Sequence, residues 1–395
     1  MRIVSIMWNS YVPMFKKASE AACIDLVIYS ARRLEEEPAL LSAAEKDLEG
    51  ANLILLYRTK DLFWEGLEKK VRALGSRIPV VCLGHDPSYW MLSTVRADIV
   101  ATAQSYLTLN GEENVKNLLL YLKSQVLHEN VAYAPPVQTP WEGIFHPRAP
   151  SHFMDLKSYL EWYRPVPPLV ALLCSRLAWI NESLDIENAL IEELESRGLS
   201  VVPIFSYSVK DPELGAKGMA EIIKELFLDG EVKVDAIIKM NPFFMGSGRS
   251  DPSDTSAALS GVELLRRLDV PIFQPIIASY MALEDWEASN GITNDIGWSV
   301  AMPEFEGVIE PIIIGASNTK SDSYDRKALR ERCAKLASRV QKWIALKNKP
   351  IGERKVAFIL HNNPCASVEA SVGGAAHLDS IESVSRILHA MKDAG

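Results

Sequence analysis

The chain has no CxxC pair, and its five cysteines (Cys23, Cys82, Cys174, Cys333 and Cys365) are scattered. That spacing argues against a zinc knuckle and against a disulfide framework, so a reducing, cytoplasmic setting is expected. No apolar run approaches the ~20 residues of a membrane-spanning helix. The opening MRIVSIMWNS lacks both a long hydrophobic core and a small-residue cleavage site, so no export signal is read there. Neither GxxxxGK(S/T) nor GxGxxG occurs, and the chain is not expected to bind ATP itself. A basic excess is also missing: 42 Lys and Arg stand against 51 Asp and Glu, a net charge of −9. A nucleic-acid partner would favour a basic face, so none is expected. No repeat and no low-complexity tract is present.

What remains is an ordinary globular composition, 48% apolar and 24% charged, over 395 residues, enough for two or three domains. Residues 1–130 alternate short apolar runs (Arg2–Trp8, Asp25–Ser30, Ala51–Arg58, Ile78–Gly84) with helix-periodic stretches (Pro13–Ala22, Ala39–Leu48, Leu62–Leu74) and end on a strong helix, Gly111–Leu127. Continuous apolar strands between amphipathic helices indicate a parallel sheet covered on both faces. Residues 131–168 are proline-rich and read as a linker or hinge with one short helix, Asp155–Tyr163. A second alternating region, 169–350, has strands at Leu169–Ser175, Leu199–Phe205, Val234–Met240, Val270–Ile276 and Gly307–Gly315. Helices at Ile186–Arg197, Ala216–Leu228, Thr255–Leu268 and Lys327–Leu346 separate them. A further unit, 351–395, has a strand-like KVAFIL (Lys355–Leu360), a loop and an amphipathic helix, Ser380–Gly395, with Ser380 and Ser383 placed to cap it. Such a unit ordinarily leads into another parallel strand. The fold expected is therefore α/β and multi-domain, built of Rossmann- or flavodoxin-like βα units, with the C-terminal unit incomplete.

Doubly wound sheets bind ligands at the carboxyl ends of their strands, which directs attention to the residues just after each apolar run. His361 and Asn362 follow KVAFIL directly, and His377 lies in the next loop, where it could share a site or cap the helix. Asn241 follows VDAIIKM and precedes a Gly246–Asp251 loop that could cradle an anion or simply lie on the surface. His146, with Arg148 nearby, could ligate a metal or face a ligand, although a histidine beside proline more often fixes a turn. Trp286 could stack on a flat ligand, yet a tryptophan in such a short helix is more often a packing residue. His85, in a Gly-His-Asp-Pro turn, reads as structural. No Ser/His/Asp or Cys/His nucleophile set is recognisable.

Four stretches taken together resemble the large subunit of cobaltochelatase (CobN) and the porphyrin-binding H subunit of magnesium chelatase. GEENVKNLL (Gly111–Leu119) is similar to the family's "GG-x-x-N-x-x-N-x-L", and Gly143–Tyr163 to its "Y-H-P … Y-L-x-W" block. Asp285–Gly315 resembles its "W … PE-x-(D/E)-G-x-(I/L)-E-P", and Lys355–Leu388 its "HN-Y-P … G-x-A-x-x-L-D-x-x-x-S". The blocks keep the family's order over roughly residues 100–395. Asn363 stands where a tyrosine is common and Arg148 where aspartate is frequent, while the HN-x-P form leans toward cobaltochelatase.

The resemblance implies the N-terminal portion of a tetrapyrrole-binding large subunit in an ATP-dependent chelatase. The reaction it implies first is insertion of Co2+ into a corrin precursor, hydrogenobyrinic acid a,c-diamide, in cobalamin biosynthesis. Insertion of Mg2+ into protoporphyrin IX is the alternative within the family. It further implies partner AAA+ motor subunits that hydrolyse ATP, with no cofactor resident in this portion. Other readings are a non-catalytic, two-lobed small-ligand module or a docking module for the motor subunits. A carboxylate-rich macrocycle would call for local cations, of which Arg148, Arg176, Lys239 and Arg249 are candidates.

Overall fold

The computed structural model describes residues 1–60, 62–247, 255–279, 281–291, 296–318, 325–361, 373–374 and 378–395. Two units emerge, Met1–Val340 and Gln341–Gly395. None of the described helices is long and apolar enough to cross a membrane.

The first sheet uses β1 (Ile3–Met7), β2 (Leu26–Ser30), β3 (Leu53–Tyr57) and β4 (Val80–Leu83) in the order β2-β1-β3-β4, all parallel. Helices α1 (Val12–Ala21), α2 (Ala31–Glu36), α3 (Pro38–Glu49), α4 (Phe63–Leu74), α5 (Ala97–Leu109) and α6 (Glu112–Gln125) accompany it. Strand side chains alternate between faces, so one sequence supplies two cores. Ile3, Leu53, Leu55 and Val81 pack with residues of α1, α5 and α6, whereas Val4, Ile54, Leu56 and Val80 pack with α2, α3 and α4. The expected doubly covered parallel sheet is present.

The proline-rich segment after α6 is held by two asparagines. Asn114 Nδ2 donates to the carbonyls of Asn110 (2.7 Å) and Val137 (2.8 Å), and its Oδ1 accepts from Val137 N at 2.9 Å. Asn117 Oδ1 accepts from Ala134 N at 2.7 Å. The Asn-x-x-Asn spacing thus presents two side chains from one helix face to an extended strand of chain. Gly111, at φ +91°, occupies a left-handed position that a side chain would strain.

The second sheet contains β5 (Glu142–Ile144), β6 (Leu169–Ser175), β7 (Ser200–Ser206), β8 (Ala236–Lys239) and β9 (Ile272–Phe273) in the order β5-β7-β6-β8-β9. β6 to β9 run parallel, and β5 pairs antiparallel with β7. Helices α7 (Leu156–Tyr163), α8 (Arg176–Ile180), α9 (Asp185–Ser196), α10 (Met219–Ile223) and α11 (Thr255–Leu268) lie along this stretch. A third sheet, from β10 (Ile276–Ser279), β11 (Ile313–Asn318) and β12 (Asp325–Ala328), follows α12 (Leu283–Ala288) and α13 (Met302–Phe305) into its last two strands. The chain then enters α14 (Arg330–Asn348), and α15 (Ser380–Ala394) completes the described helices.

Several elements depart from the expectations. VPIFQPI divides at Gln274-Pro275 into β9 and β10, which belong to different sheets, since proline cannot donate to a continuing ladder. Residues 325–328 begin no helix but form an antiparallel edge strand, fixed by an ion pair from Arg326. Residues 307–312 precede β11 instead of belonging to it. Residues 355–360 are extended without a paired strand among the described residues, and Val356, Phe358 and Ile359 stand exposed. A strand is defined by its partner, and an apolar run alone does not supply one. The cap of α15 is Asp379, whose carboxylate accepts from Glu382 N at 2.9 Å, rather than Ser380.

Candidate ligand cleft

In the first sheet the chain leaves β1 outward to β2 and returns past β1 to β3. The connections after β1 and β3 therefore diverge, and a crevice opens at their carboxyl ends. A cavity of about 490 Å3 lies there, inside the range of small-molecule sites, about 300–1,000 Å3. Trp8 follows β1, Tyr57 ends β3, and Gly84 and His85 follow β4. Across the cavity the second sheet presents its own strand ends, Arg176 after β6 and Tyr207 after β7. The two sheets thus point the carboxyl ends of their parallel strands into one space.

Local sequence explains each placement. A Cβ at Gly84 would lie 2.8 Å from Arg58 O and 2.9 Å from Tyr89 Cδ2, so only glycine lets the chain turn there. Gln104 Oε1 accepts from Gly84 N (3.1 Å), and the Trp90 indole donates to Gly84 O (3.2 Å), setting that ring against the cavity. Ser175 Oγ accepts from Leu177 N at 3.2 Å, which ends β6 and starts α8 with Arg176 facing inward.

Arg176 is buried, yet its partners are neutral. Its guanidinium donates to Pro140 O (2.7 Å), Leu109 O (2.9 Å) and Thr139 Oγ1 (2.5 Å), and its Cζ lies 4.3 Å from the Trp141 ring centre. No carboxylate pairs with it among the described residues, and no Asp or Glu lines the cavity. Burial pulls its pKa down to about 10. Burial, then Tyr57 and Tyr207, push the Tyr11 hydroxyl well above its ordinary value, so it remains a donor. Tyr11 packs edge-on to Tyr57 at 5.3 Å, and Trp141 edge-on to Tyr207 at 5.7 Å. The result is an aromatic cleft with one buried cation.

A smaller cavity, about 130 Å3, lies at the divergence of β6 and β8 in the second sheet, lined in part by Ser175, Met240, Pro242 and Ser317. Asn241, at the same strand end, is fully buried. Its Nδ2 donates to Cys174 O and Ser206 Oγ, both at 3.3 Å, while its Oδ1 has no partner among the described residues. Lys239 donates to the carbonyls of Asn241 and Phe243 and to Gln274 Oε1. Both oxygens of Glu306 accept from Met245 N. Burial pushes Lys239 down to about 8 and Glu306 up to about 7, each opposed by the charge of the other.

The structure brings His146 and Arg148 together on one carboxylate. His146 Nε2 lies 3.2 Å from Glu195, Arg148 holds both Glu195 oxygens (2.5 and 2.7 Å), and Tyr163 donates to Glu195 at 2.7 Å. Burial outweighs the Glu195 charge and lowers the His146 pKa. His146 Nδ1 also accepts from Arg148 N at 3.2 Å, across its own turn. Trp286 lies under Arg332, whose Cζ is 4.7 Å from the ring centre. His361 belongs to the second unit, is exposed, and its carbonyl accepts from Gly373 N at 3.0 Å. Asn362, His377 and Arg249 lie outside the described residues. Among the described residues no three His, Cys, Asp or Glu side chains gather as a metal site. Sequence reasoning passed over Trp8, Tyr57 and Tyr207 as site residues and set His85 aside. The strand-end rule applied to His361 would have found them.

Residues 104–395 match the CobN/Magnesium Chelatase family. An uncharacterized protein of Methanocaldococcus jannaschii is 36% identical over 407 residues, spanning 100% of this chain and 31% of its own length. The magnesium-chelatase subunit ChlH of Oryza sativa subsp. indica is 28% identical over 281 residues, 67% of this chain and 19% of its own. In three dimensions the catalytic subunit of cobaltochelatase from Mycobacterium tuberculosis superposes with a TM-score of 0.61 over 99% of this chain and 31% of that one, at 20% identity, a likeness of fold. The chain spans less than a third of the length of the relatives it matches. Because the family match runs over well more than half of the sequence, this chain belongs to the CobN/magnesium chelatase family.

Proposed function

We propose that the chain is part of the tetrapyrrole-binding large subunit of an ATP-dependent metal chelatase, and that its aromatic cleft receives an edge of the macrocycle. The observation that carries this reading is the convergence of two sets of strand ends on one aromatic cavity containing a buried cation and no acid. A flat conjugated ring gains most from aromatic walls that stack or meet it edge-on. Trp8, Tyr57, Trp90 and Trp141 supply such walls.

The chemistry assigned to these residues is binding and orientation. The protonated hydroxyl of Tyr11 and the guanidinium of Arg176 would orient polar substituents, while the rings displace water from the macrocycle face. Removal of the pyrrole protons and closure around the metal are assigned to parts of the subunit beyond this chain. ATP hydrolysis is assigned to AAA+ partners. The metal substrate proposed is Co2+ and the macrocycle a corrin precursor, from the His361-Asn362-x-Pro364 form of the last family block.

The test is an absorbance titration of the purified chain with a corrin precursor and with a porphyrin. Saturable binding with a shifted band supports the reading, and preference for the corrin supports cobalt. Failure of both macrocycles to bind would refute it.

A further inference from the structure

We infer that Arg176 is an anion anchor: its guanidinium, stacked over Trp141 at the inner wall of the cleft, takes a carboxylate on the periphery of a planar ligand. The inference rests on the tetrapyrrole reading above and narrows it to macrocycles that carry acidic side chains.

The argument starts from charge. Burying a cation away from water is unfavourable unless an opposite charge faces it. Arg176 is 5% exposed, and its partners on the protein are two carbonyls and a hydroxyl. These satisfy hydrogen bonds without neutralising the charge. Lining the same cavity are rings, amides, hydroxyls and the exposed His85, but no carboxylate.

A purely structural strap does not explain this arrangement. The other buried arginine among the described residues, Arg326, meets the carboxylate of Glu187 at 2.7 and 2.8 Å. Arg176 has no such partner, and one of its nitrogens, Nη1, makes no bond to the described residues. Nη1 therefore keeps its N–H groups for a charge-assisted hydrogen bond to a carboxylate, and stacking on Trp141 leaves that edge of the group uncovered. Tyr11 and Tyr207 line the same cavity as Arg176.

The test compares deuteroporphyrin IX, which has two propionates, with its dimethyl ester in the same mixed solvent, followed by quenching of tryptophan fluorescence. The acid is expected to bind at least tenfold tighter to the native chain. Arg176→Met is expected to abolish that preference, bringing acid and ester to the same affinity, and Arg176→Lys to restore part of it. Should Arg176→Met fail to fold, the native acid-to-ester ratio and its weakening by salt decide the matter. Equal binding of acid and ester to the native chain would overturn the anchor and leave the tetrapyrrole reading standing. Binding of neither would overturn both.

Discussion

Glu187 and Arg326, 139 positions apart in sequence, form a doubly hydrogen-bonded ion pair at 2.7 and 2.8 Å, with both side chains almost wholly buried. The pair fastens β12 of the third sheet to α9, and Arg326 also donates to Ser183 O. Attraction between buried charges is offset by their desolvation, but removing one partner strands the other. Glu187→Leu alone is expected to destabilise the chain by about 3–5 kcal/mol, whereas Glu187→Leu with Arg326→Met should recover most of that loss. Urea denaturation of the two variants is the check. Equal losses would show that packing, not charge, holds β12 in place.

Asn114 is expected to matter through the linker it holds. Its amide makes three bonds, to Asn110 O, Val137 O and Val137 N. Asn114→Ala removes the partner of two partly buried backbone groups of Val137 and should cost about 1 kcal/mol. Limited proteolysis supplies the specific readout: cleavage should concentrate between residues 130 and 140 in the variant and be slow there in the native chain. Unchanged cleavage would mean that the segment is held by something other than this helix face.

Glu306 and Lys239 give the chain a pH signature. Glu306 titrates near 7 in the folded state against an ordinary 4.5. Its contribution is therefore fully present below pH 4.5 and lost as pH rises through 7. Lys239 titrates near 8 against 10.5, so its contribution is fully present above pH 10.5 and lost as pH falls through 8. In melting curves taken across pH, Glu306→Gln should flatten the decline between 4.5 and 7. An unaltered slope in that variant would contradict the assignment.

Much of this architecture is legible in the sequence, because its main signals are periodic. The strands of the first sheet read as apolar runs, and α11 falls at the stretch Thr255–Leu268 that its periodicity marks. Elements that depend on distant partners are not legible in this way. Strand β5 inside the proline-rich segment exists because β7 offers it an edge, and β12 because Glu187 anchors Arg326. The helix α5 was not expected at all: its stretch is apolar over most of its length, with little contrast between faces. For the candidate site, the strand-end rule points in the sequence to Asn241 and His361. Only the sheet order shows that the ends of β1, β3, β4, β6 and β7 converge, and strand order is not written in periodicity.

The central claim is that the cleft between the two sets of strand ends receives a tetrapyrrole. Photo-crosslinking of a porphyrin to the chain, with the labelled peptides mapped by mass spectrometry, tests it most directly. The account predicts adducts on peptides containing Tyr57, Trp90, Trp141 or Tyr207, suppressed by excess unlabelled macrocycle. Saturable labelling confined to other peptides, or no competed adduct anywhere, would contradict it.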